Sequence, residues 1–575
     1  MKKTILAAAI LGIAAMQAGA YNFNGTEVNS IVLKGSVVQP GTILEYAGDG
    51  VWRSTVALTR ITYNEYIDRN FYFAVNGEDS KAIRRVASTN EVRLDTGQGG
   101  LENIRINNGT YDITLDLEKM TYLIESETDP YRVSVFGSSV ANGTGANSMQ
   151  GYAYLYGKQL EEWYAGGLSS NPLHISGVSI GGNTTTALKN RYIDVLHDFG
   201  KYVIIGLSMG NEGLHGSANK QATFNGFRDN MLSLISSLRK DGKVPVVMNN
   251  YTHSDYNAED YGYIKRINLL IHEWDVPSFN TLGAIDDGAG HWASNYVADA
   301  GHPNTSGHQE FFYSMVPSLF DALIEGKPLP VRDSGKSLAL AKGETLEIVP
   351  EGTLHSFTVL LRCKAGNPGR LIGFGQGSGR SQSTVSLTVD GDGCIAYAHS
   401  ATQQPEATDA YVLDGEWHDV ALSYYYAWGM TKVYVDGKEV LARKENTKLN
   451  YPIVIGDDEK NPGLEICETA LWRAGMNPEE MQAFHAGAML KSSLEIYSPM
   501  TLQDESIPNL AQSTNSIRYH RAPADGDTED AGVAAIEGEN ADGKFYNLSG
   551  FQVAEPTPGH IYVRHSGNGA TKIIY

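Results

Sequence analysis

Four short blocks between residues 137 and 302 hold the side chains that acyl transfer needs, and each lies at the end of a predicted element. Gly137-Ser138-Ser139 follows the strand-like run "VSVF" from Val133 to Phe136, with Gly143 four residues beyond Ser139. Gly181-Gly182-Asn183 sits in "GVSIGGNTTTALKNR", and Gly210-Asn211-Glu212 in "IIGLSMGNEG". In "VADAGHPNTSGHQEFF", Asp299 precedes His302 by three residues. A serine hydroxyl is a poor nucleophile until a base takes its proton. His302 is the candidate base for Ser139, and Asp299 the candidate to fix its tautomer and stabilise the imidazolium. The oxyanion that develops on an attacked carbonyl needs preorganised donors. The backbone N–H groups of Ser139 and Gly182 and the side-chain amide of Asn211 supply three. Glycine at 182 lets backbone approach a substrate with no Cβ in the way. This chemistry calls for no metal and no cofactor. Singly, each block has a plain explanation as a turn or a capping pair; their occurrence together, in this order and at element ends, carries the argument.

The elements that must position these blocks are legible around them. From about 129 to 329, short apolar strands ("YRVSVFG", "PLHISGVSI", "KYVIIGLSMG", "KVPVVMNN", "VPSFNTLG") alternate with stripes at helical spacing. Phe224, Phe227, Met231, Leu234, Ile235 and Leu238 form one stripe. Tyr152, Tyr156, Leu160 and Trp163 form another, and Ile264, Ile267, Ile271 and Trp274 a third. Such alternation predicts a mostly parallel sheet with helices on both faces, a three-layer α/β domain. Ligands of such sheets bind at the carboxyl ends of the strands, where the first three blocks lie; the fourth comes near the end of the domain. Tyr251, His253, His291 and Trp292 fall in loops after strands and are candidate substrate contacts, since a sugar ring stacks on aromatic faces. Packing under the loops is the competing reading. His291 is also a rival base, ranked below His302 because no Asp stands three residues before it.

These blocks resemble the SGNH hydrolases, also called GDSL esterases. The resemblance covers about 200 residues and implies Ser139 as nucleophile, Gly182 and Asn211 as oxyanion donors, and Asp299 and His302 as the acid–base pair. "DAGHPN" is close to the family's last block. Two positions depart from the pattern: Ser138 and Glu212 stand where the family usually has Asp. The family includes carbohydrate deacetylases, lipases, thioesterases and peptidoglycan O-acetyl esterases.

The chain has 575 residues, enough for several domains, and a net charge of −21 that disfavours nucleic acid as a partner. Residues 1–20, "MKKTILAAAILGIAAMQAGA", combine Lys2 and Lys3, an apolar stretch and Ala18-Gly19-Ala20, the pattern of a secretory signal peptide. No later segment is long and apolar enough to span a bilayer. Residues 21–128 alternate at period two and predict an all-β sandwich, similar to small accessory β-domains of bacterial glycan-utilisation proteins. The α/β domain occupies 129–329. From 330 to 500 the chain is β-rich, with Asp390-Gly391 and Asp436-Gly437 as hairpin signals; "GEWHDVALSYYY" and "TKVYVDGKEV" resemble LamG or concanavalin-like jelly rolls. Residues 501–535 read as a linker. Residues 536–575 resemble C-terminal sorting or attachment domains of exported Bacteroidetes proteins. Cys363, Cys394 and Cys467 fit no zinc spacing and suit core positions, with one disulfide possible. The expectation is an exported serine esterase, periplasmic, cell-surface or extracellular, that removes acyl groups, foremost O-acetyl, from poly- or oligosaccharide. The jelly roll is a possible glycan binder. A GDSL lipase or phospholipase, and a catalytically silent glycan-binding protein, are the alternatives.

Overall fold

Successive side chains of a strand face opposite sides of its sheet, so a strand buried on both faces must be apolar throughout. In the computed structural model, β1 (Asp129–Gly137) sends Val133 and Val135 into one core and Phe136 into another. With β2 (His174–Gly177), β3 (Gly200–Gly206), β4 (Val244–Met248) and β5 (Ser278–Phe279) it forms an all-parallel sheet of order β2-β1-β3-β4-β5. β3 divides the same way, Tyr202 and Ile204 against Val203 and Ile205. The structure describes residues 21–59, 65–333, 335–375, 385–400, 403–445, 452–456, 463–501 and 506–521, and four backbone strands beyond them. The expected signal peptide at 1–20 lies outside the described residues.

The helices of this region are α1 (Tyr152–Ala165), α2 (Thr185–Asn190), α3 (Tyr192–Leu196), α4 (Lys220–Lys240), α5 (Ala258–Glu273), α6 (Leu282–Ile285), α7 (Thr305–Tyr313) and α8 (Leu319–Ile324). α4 buries the whole predicted stripe from Phe224 to Leu238. Each such side chain removed from water is worth about 1.5–3 kcal/mol. α4 and α5 line the core that holds Phe136; α1, α7 and α8 line the other. The three-layer α/β architecture is as expected. Helix starts are set by side-chain caps: Asn219 for α4, Asn257 with Asp260 for α5, and Asn304 for α7. The strand order reverses between β1 and β3, which opens a crevice at their carboxyl ends.

The N-terminal β region has a small hairpin, Tyr21–Phe23 with Thr26–Val28, and one continuous ten-stranded sheet. The sheet runs from Thr121–Glu125 through Gly109–Asp116, Val51–Leu58, Ile43–Gly48, Ile31–Gly35, Asn70–Val75 and Ala82–Val86 to Val92–Leu94. A bridge between Glu91 and Thr121 joins its two ends. The layers of the expected sandwich are thus a single sheet folded back around a core that includes Trp52, Phe71, Phe73 and Tyr111.

The jelly roll packs two antiparallel sheets about one core. Asp436 and Gly437, at φ 50° and 73°, turn the hairpin between Met430–Val435 and Lys438–Lys444. One boundary is corrected. The linker expected at 501–535 contains the strand Ile517–His520, which pairs with Thr345–Ile348. Polar composition hid it, because only Ile517 is buried. Cys363, Cys394 and Cys467 are free thiols. Among the described residues no helix is long and apolar enough to cross a membrane. Residues 521–575 form a separate unit with an antiparallel sheet of order Gln552–Val553, Lys544–Tyr546, Ile561–Ser566, Gly569–Ile574.

The jelly roll covers the open edge of the central sheet. The Ser493 N–H donates to the Ser278 carbonyl of β5 at 2.9 Å, and Gly475 N–H to the Gly283 carbonyl at 3.0 Å. Nearby, Ser318 Oγ donates to the Glu351 carboxylate at 2.7 Å, and Arg473 Nη1 donates to Glu495 and to the Glu351 carbonyl. Burial, with the Glu495 carboxylate beside it, pushes the Glu351 carboxyl up to about 7 from 4.5. A carboxyl raised on folding stabilises the protein below its unfolded value and loses that contribution as pH rises through the folded one. The thermal midpoint should therefore fall between about pH 5 and pH 8, and Glu351→Gln should flatten the fall. Calorimetric melts across that range check this.

Candidate active site

β1 delivers two adjacent serines to the crevice, and they part company there. Ser138 is buried, with its hydroxyl facing the Tyr251 hydroxyl. Ser139 is half-buried, and its Oγ lies 2.8 Å from His302 Nε2. His302 Nδ1 lies 2.8 and 2.9 Å from the two carboxylate oxygens of Asp299. Desolvation would raise the Asp299 carboxyl, but the Gly301 N–H and the His302 imidazole outweigh it and hold it below its usual value. An ionised Asp299 only accepts, so Nδ1 donates to it, and Nε2 is left to accept the Ser139 O–H. The structure thus brings together the hydroxyl, imidazole and carboxylate that sequence spacing singled out.

The loop that carries Asp299 and His302 leads into α7, capped by Asn304. Trp292 Nε1 donates to the Ala300 carbonyl at 3.0 Å, and the Ser254 N–H to the same oxygen at 2.9 Å. The loop after Ser139 meets it from the other side. Gly145 takes φ +95°, and a Cβ there would lie 2.1 Å from the Pro303 carbonyl oxygen. His308 anchors the same loop from beneath: its Nε2 donates to the Thr144 carbonyl at 2.9 Å and its Nδ1 accepts the Tyr152 N–H at 3.3 Å. Burial pushes the His308 imidazole down to about 4, which keeps it in this neutral, doubly bonded form.

The second block reaches Ser139 at Gly181, where a Cβ would lie 3.8 Å from the serine Cβ. The Ile180 N–H donates to the Gly137 carbonyl at 3.2 Å, which docks the second block on the first. Gly182 is exposed, at φ +74°. Asn211 Nδ2 donates to the Asn183 carbonyl at 3.0 Å, which uses one amide hydrogen and leaves the second. The departure at Glu212 has a structural role: its Oε1 accepts the Thr185 N–H in the first turn of α2, at 2.6 Å.

The aromatic candidates separate. Tyr251 and Trp292 are buried and stack on each other at 5.7 Å, with Phe311 beneath both. Their faces are taken up by packing, which corrects the expectation that they contact a sugar. His291 is held by the Tyr256 carbonyl at 2.8 Å and by Asp287, so the rival base is engaged elsewhere. His253 remains beside the site. Its Nδ1 bonds Asp255, it stacks on Tyr256, and its ring edge lies between Gly210 and Gly301. Gly145, His308 and Arg191, which holds the Gly137 carbonyl, went unremarked in the sequence; only the glycine offered a signal, as a turn former.

Residues 135–310 match the family model described as the GDSL-like Lipase/Acylhydrolase family. The central domain is a GDSL-like acylhydrolase domain. Residues 344–482 match the Concanavalin A-like lectin/glucanases superfamily, the LamG-like jelly roll. No curated protein matches the chain. Among solved structures, a candidate carbohydrate-binding protein from Bacteroides ovatus ATCC 8483 is similar at 17% identity over 34% of this chain and 62% of its own, with a TM-score of 0.26. A candidate lipolytic protein of the G-D-S-L family from Desulfitobacterium hafniense DCB-2 is similar at 14% identity over 32% of this chain and 95% of its own, with a TM-score of 0.27. A variant of Axe2, an acetylxylan esterase from Geobacillus stearothermophilus, is similar at 14% identity over 32% of this chain and 93% of its own, with a TM-score of 0.27.

The contact of Gly145 with Pro303 sets the distance between the serine loop and the histidine loop of the acylhydrolase domain. Gly145→Ala places an L residue in the left-handed region, at about 1–2 kcal/mol, and drives its methyl into the Pro303 carbonyl. The expected result is a lower thermal midpoint and at least about tenfold slower labelling of Ser139 by an organophosphate, read by mass spectrometry.

Proposed function

We propose that the protein is an exported serine hydrolase that removes acyl groups, foremost acetyl, from carbohydrate through an acyl-enzyme on Ser139. The observation that carries the reading is the chain of contacts from Ser139 Oγ through His302 to the Asp299 carboxylate, set beside an exposed loop of backbone amides. In this mechanism His302 Nε2 takes the Ser139 proton as Oγ attacks the acyl carbonyl. The Ser139 and Gly182 N–H groups and the Asn211 amide hold the oxyanion. Collapse breaks the ester C–O bond, and His302 returns the proton to the leaving sugar oxygen. A water then attacks the acyl-enzyme, giving its proton to His302; the carboxylic acid leaves and Ser139 regains its hydrogen.

Carbohydrate is favoured by the LamG-like jelly roll within the same compact unit and by small polar residues at the site, Gly182, Asn183, Gly210 and Asn211. The basic and apolar pattern of residues 1–20 supports export.

Ser139→Ala and His302→Ala should each lower kcat on 4-nitrophenyl acetate by about three orders of magnitude or more. Acetate release from a panel of acetylated glycans, with Ser139→Ala as blank, should identify the sugar. Near wild-type turnover by both variants would end the mechanism. A preference for long acyl chains over acetyl would replace the carbohydrate reading with a lipase.

A further inference from the structure

Arg191 ties two oxyanion loops to a third element. Its guanidinium is buried at the junction of α2 and α3. Nη2 donates to the Gly137 carbonyl at 3.1 Å, Nη1 to the Val178 carbonyl at 2.7 Å, and Nε to Asn183 Oδ1. Gly137 directly precedes the serine pair, and Val178 and Asn183 bracket the loop with Gly182. Asn183 in turn accepts the Asn211 amide on its carbonyl. One planar fork therefore fixes the relative position of all three groups assigned to the oxyanion.

Arg191 has a competing partner. Asp194 lies one turn along and is fully buried, the spacing at which arginine and carboxylate close into a bidentate pair. They meet only as a long ion pair: Arg191 Nη1 stays 3.7 Å from Asp194 Oδ2, while its shorter bonds go to the loop carbonyls. The carboxylate is claimed from the N-terminal sheet. Arg85, also with no exposed surface, sits 2.9 Å from Asp194 Oδ1, and Arg105 sits 3.3 Å from Oδ2. Glu102 pairs with both arginines and holds them in place. Burial draws the Arg191 guanidinium down to about 10 against the raising pull of the Asp194 carboxylate, so it is charged at neutral pH.

We propose that the N-terminal β region is a working part of the active site: Arg85 and Arg105 occupy Asp194, which frees Arg191 to position the oxyanion loops. Arg191 is a positioning residue and does not touch substrate. The proposal rests on the reading of Ser139, Gly182 and Asn211 as the ester-hydrolysing site. With Arg85 removed, Asp194 pulls the Arg191 fork onto itself, and the Gly137 and Val178 carbonyls lose their donors.

The test uses full-length variants Arg191→Lys, Arg85→Met and the milder Arg105→Gln, the double variant Arg85→Met/Asp194→Asn, and Arg84→Met as a control on the same sheet. Two quantities are read: deuterium uptake of peptides covering 137–142 and 178–184, and kcat and KM on 4-nitrophenyl acetate. Arg191→Lys and Arg85→Met should raise uptake in both peptides and lower kcat about ten- to hundredfold, with KM within about twofold. Arg105→Gln should act in the same direction more weakly. Asp194→Asn added to Arg85→Met should recover part of both losses, because the pull on Arg191 is gone; a merely structural role predicts a further loss. Arg84→Met should match wild type. Folded Arg85→Met or Arg191→Lys with unchanged loop uptake, or with unchanged kcat, would overturn the proposal and leave the hydrolase reading intact. If the wild type turns over no ester while the uptake pattern appears, the bracing stands and the hydrolase reading falls.

Discussion

A hydroxyl and an imidazole 163 residues apart meet at 2.8 Å, and the architecture around them can be understood as what that contact demands. The serine must leave a strand that cannot move, so β1 is paired on both sides and buried on both faces. The imidazole must arrive from the far end of the domain at a fixed height. It does so in the lead-in to α7, with one turn held by Trp292 and Ser254 and pressed against Gly145. A short polar contact of this kind tolerates an error of a fraction of an ångström. Its precision is assembled from backbone hydrogen bonds and close approach, and little of it comes from the reacting side chains themselves.

The same principle extends outward through buried charge. The junction between the N-terminal sheet and the acylhydrolase domain buries Asp194 among three arginines. The junction with the jelly roll buries Glu480 against His272 and Asn280, and Glu495 against Arg473. Pairing such groups recovers the cost of desolvating them with little surplus, whereas removing one partner strands a charge. These junctions therefore contribute less to net stability than to orientation. A wrong docking angle leaves an unpaired ion in the interior, and that penalty selects one arrangement.

The division of the chain into β, α/β and β regions was legible because periodicity is local: the α4 stripe and the β1 run declare themselves within a dozen residues. So were the four blocks, since each sets glycine or polar residues of the right type beside the end of a periodic element. What escaped was whatever depends on partners distant in sequence. Nothing in "LKNRYID" tells that Arg191 reaches back to Gly137, and nothing in "AIRRV" that Arg85 ends beside Asp194. Tyr251 and Trp292 stayed open between substrate contact and packing because an aromatic in a loop looks the same whether it faces solvent or, as here, another ring. The strand at Ile517–His520 escaped because an edge strand with one buried residue carries almost no hydrophobic signature.

The edge of the parallel sheet at β5 is closed by backbone from the jelly roll, at Ser278 with Ser493. The parallel sheet is thus finished by residues more than two hundred positions later in the chain. A fragment cut near residue 330 would keep the Ser139, His302 and Asp299 cluster yet expose a raw row of peptide donors and acceptors, with Asn280 and His272 stripped of their carboxylate. The smallest piece that can fold cleanly is larger than the piece that carries Ser139, His302 and Asp299, so in this chain the appended lectin-like region is as much scaffold as accessory.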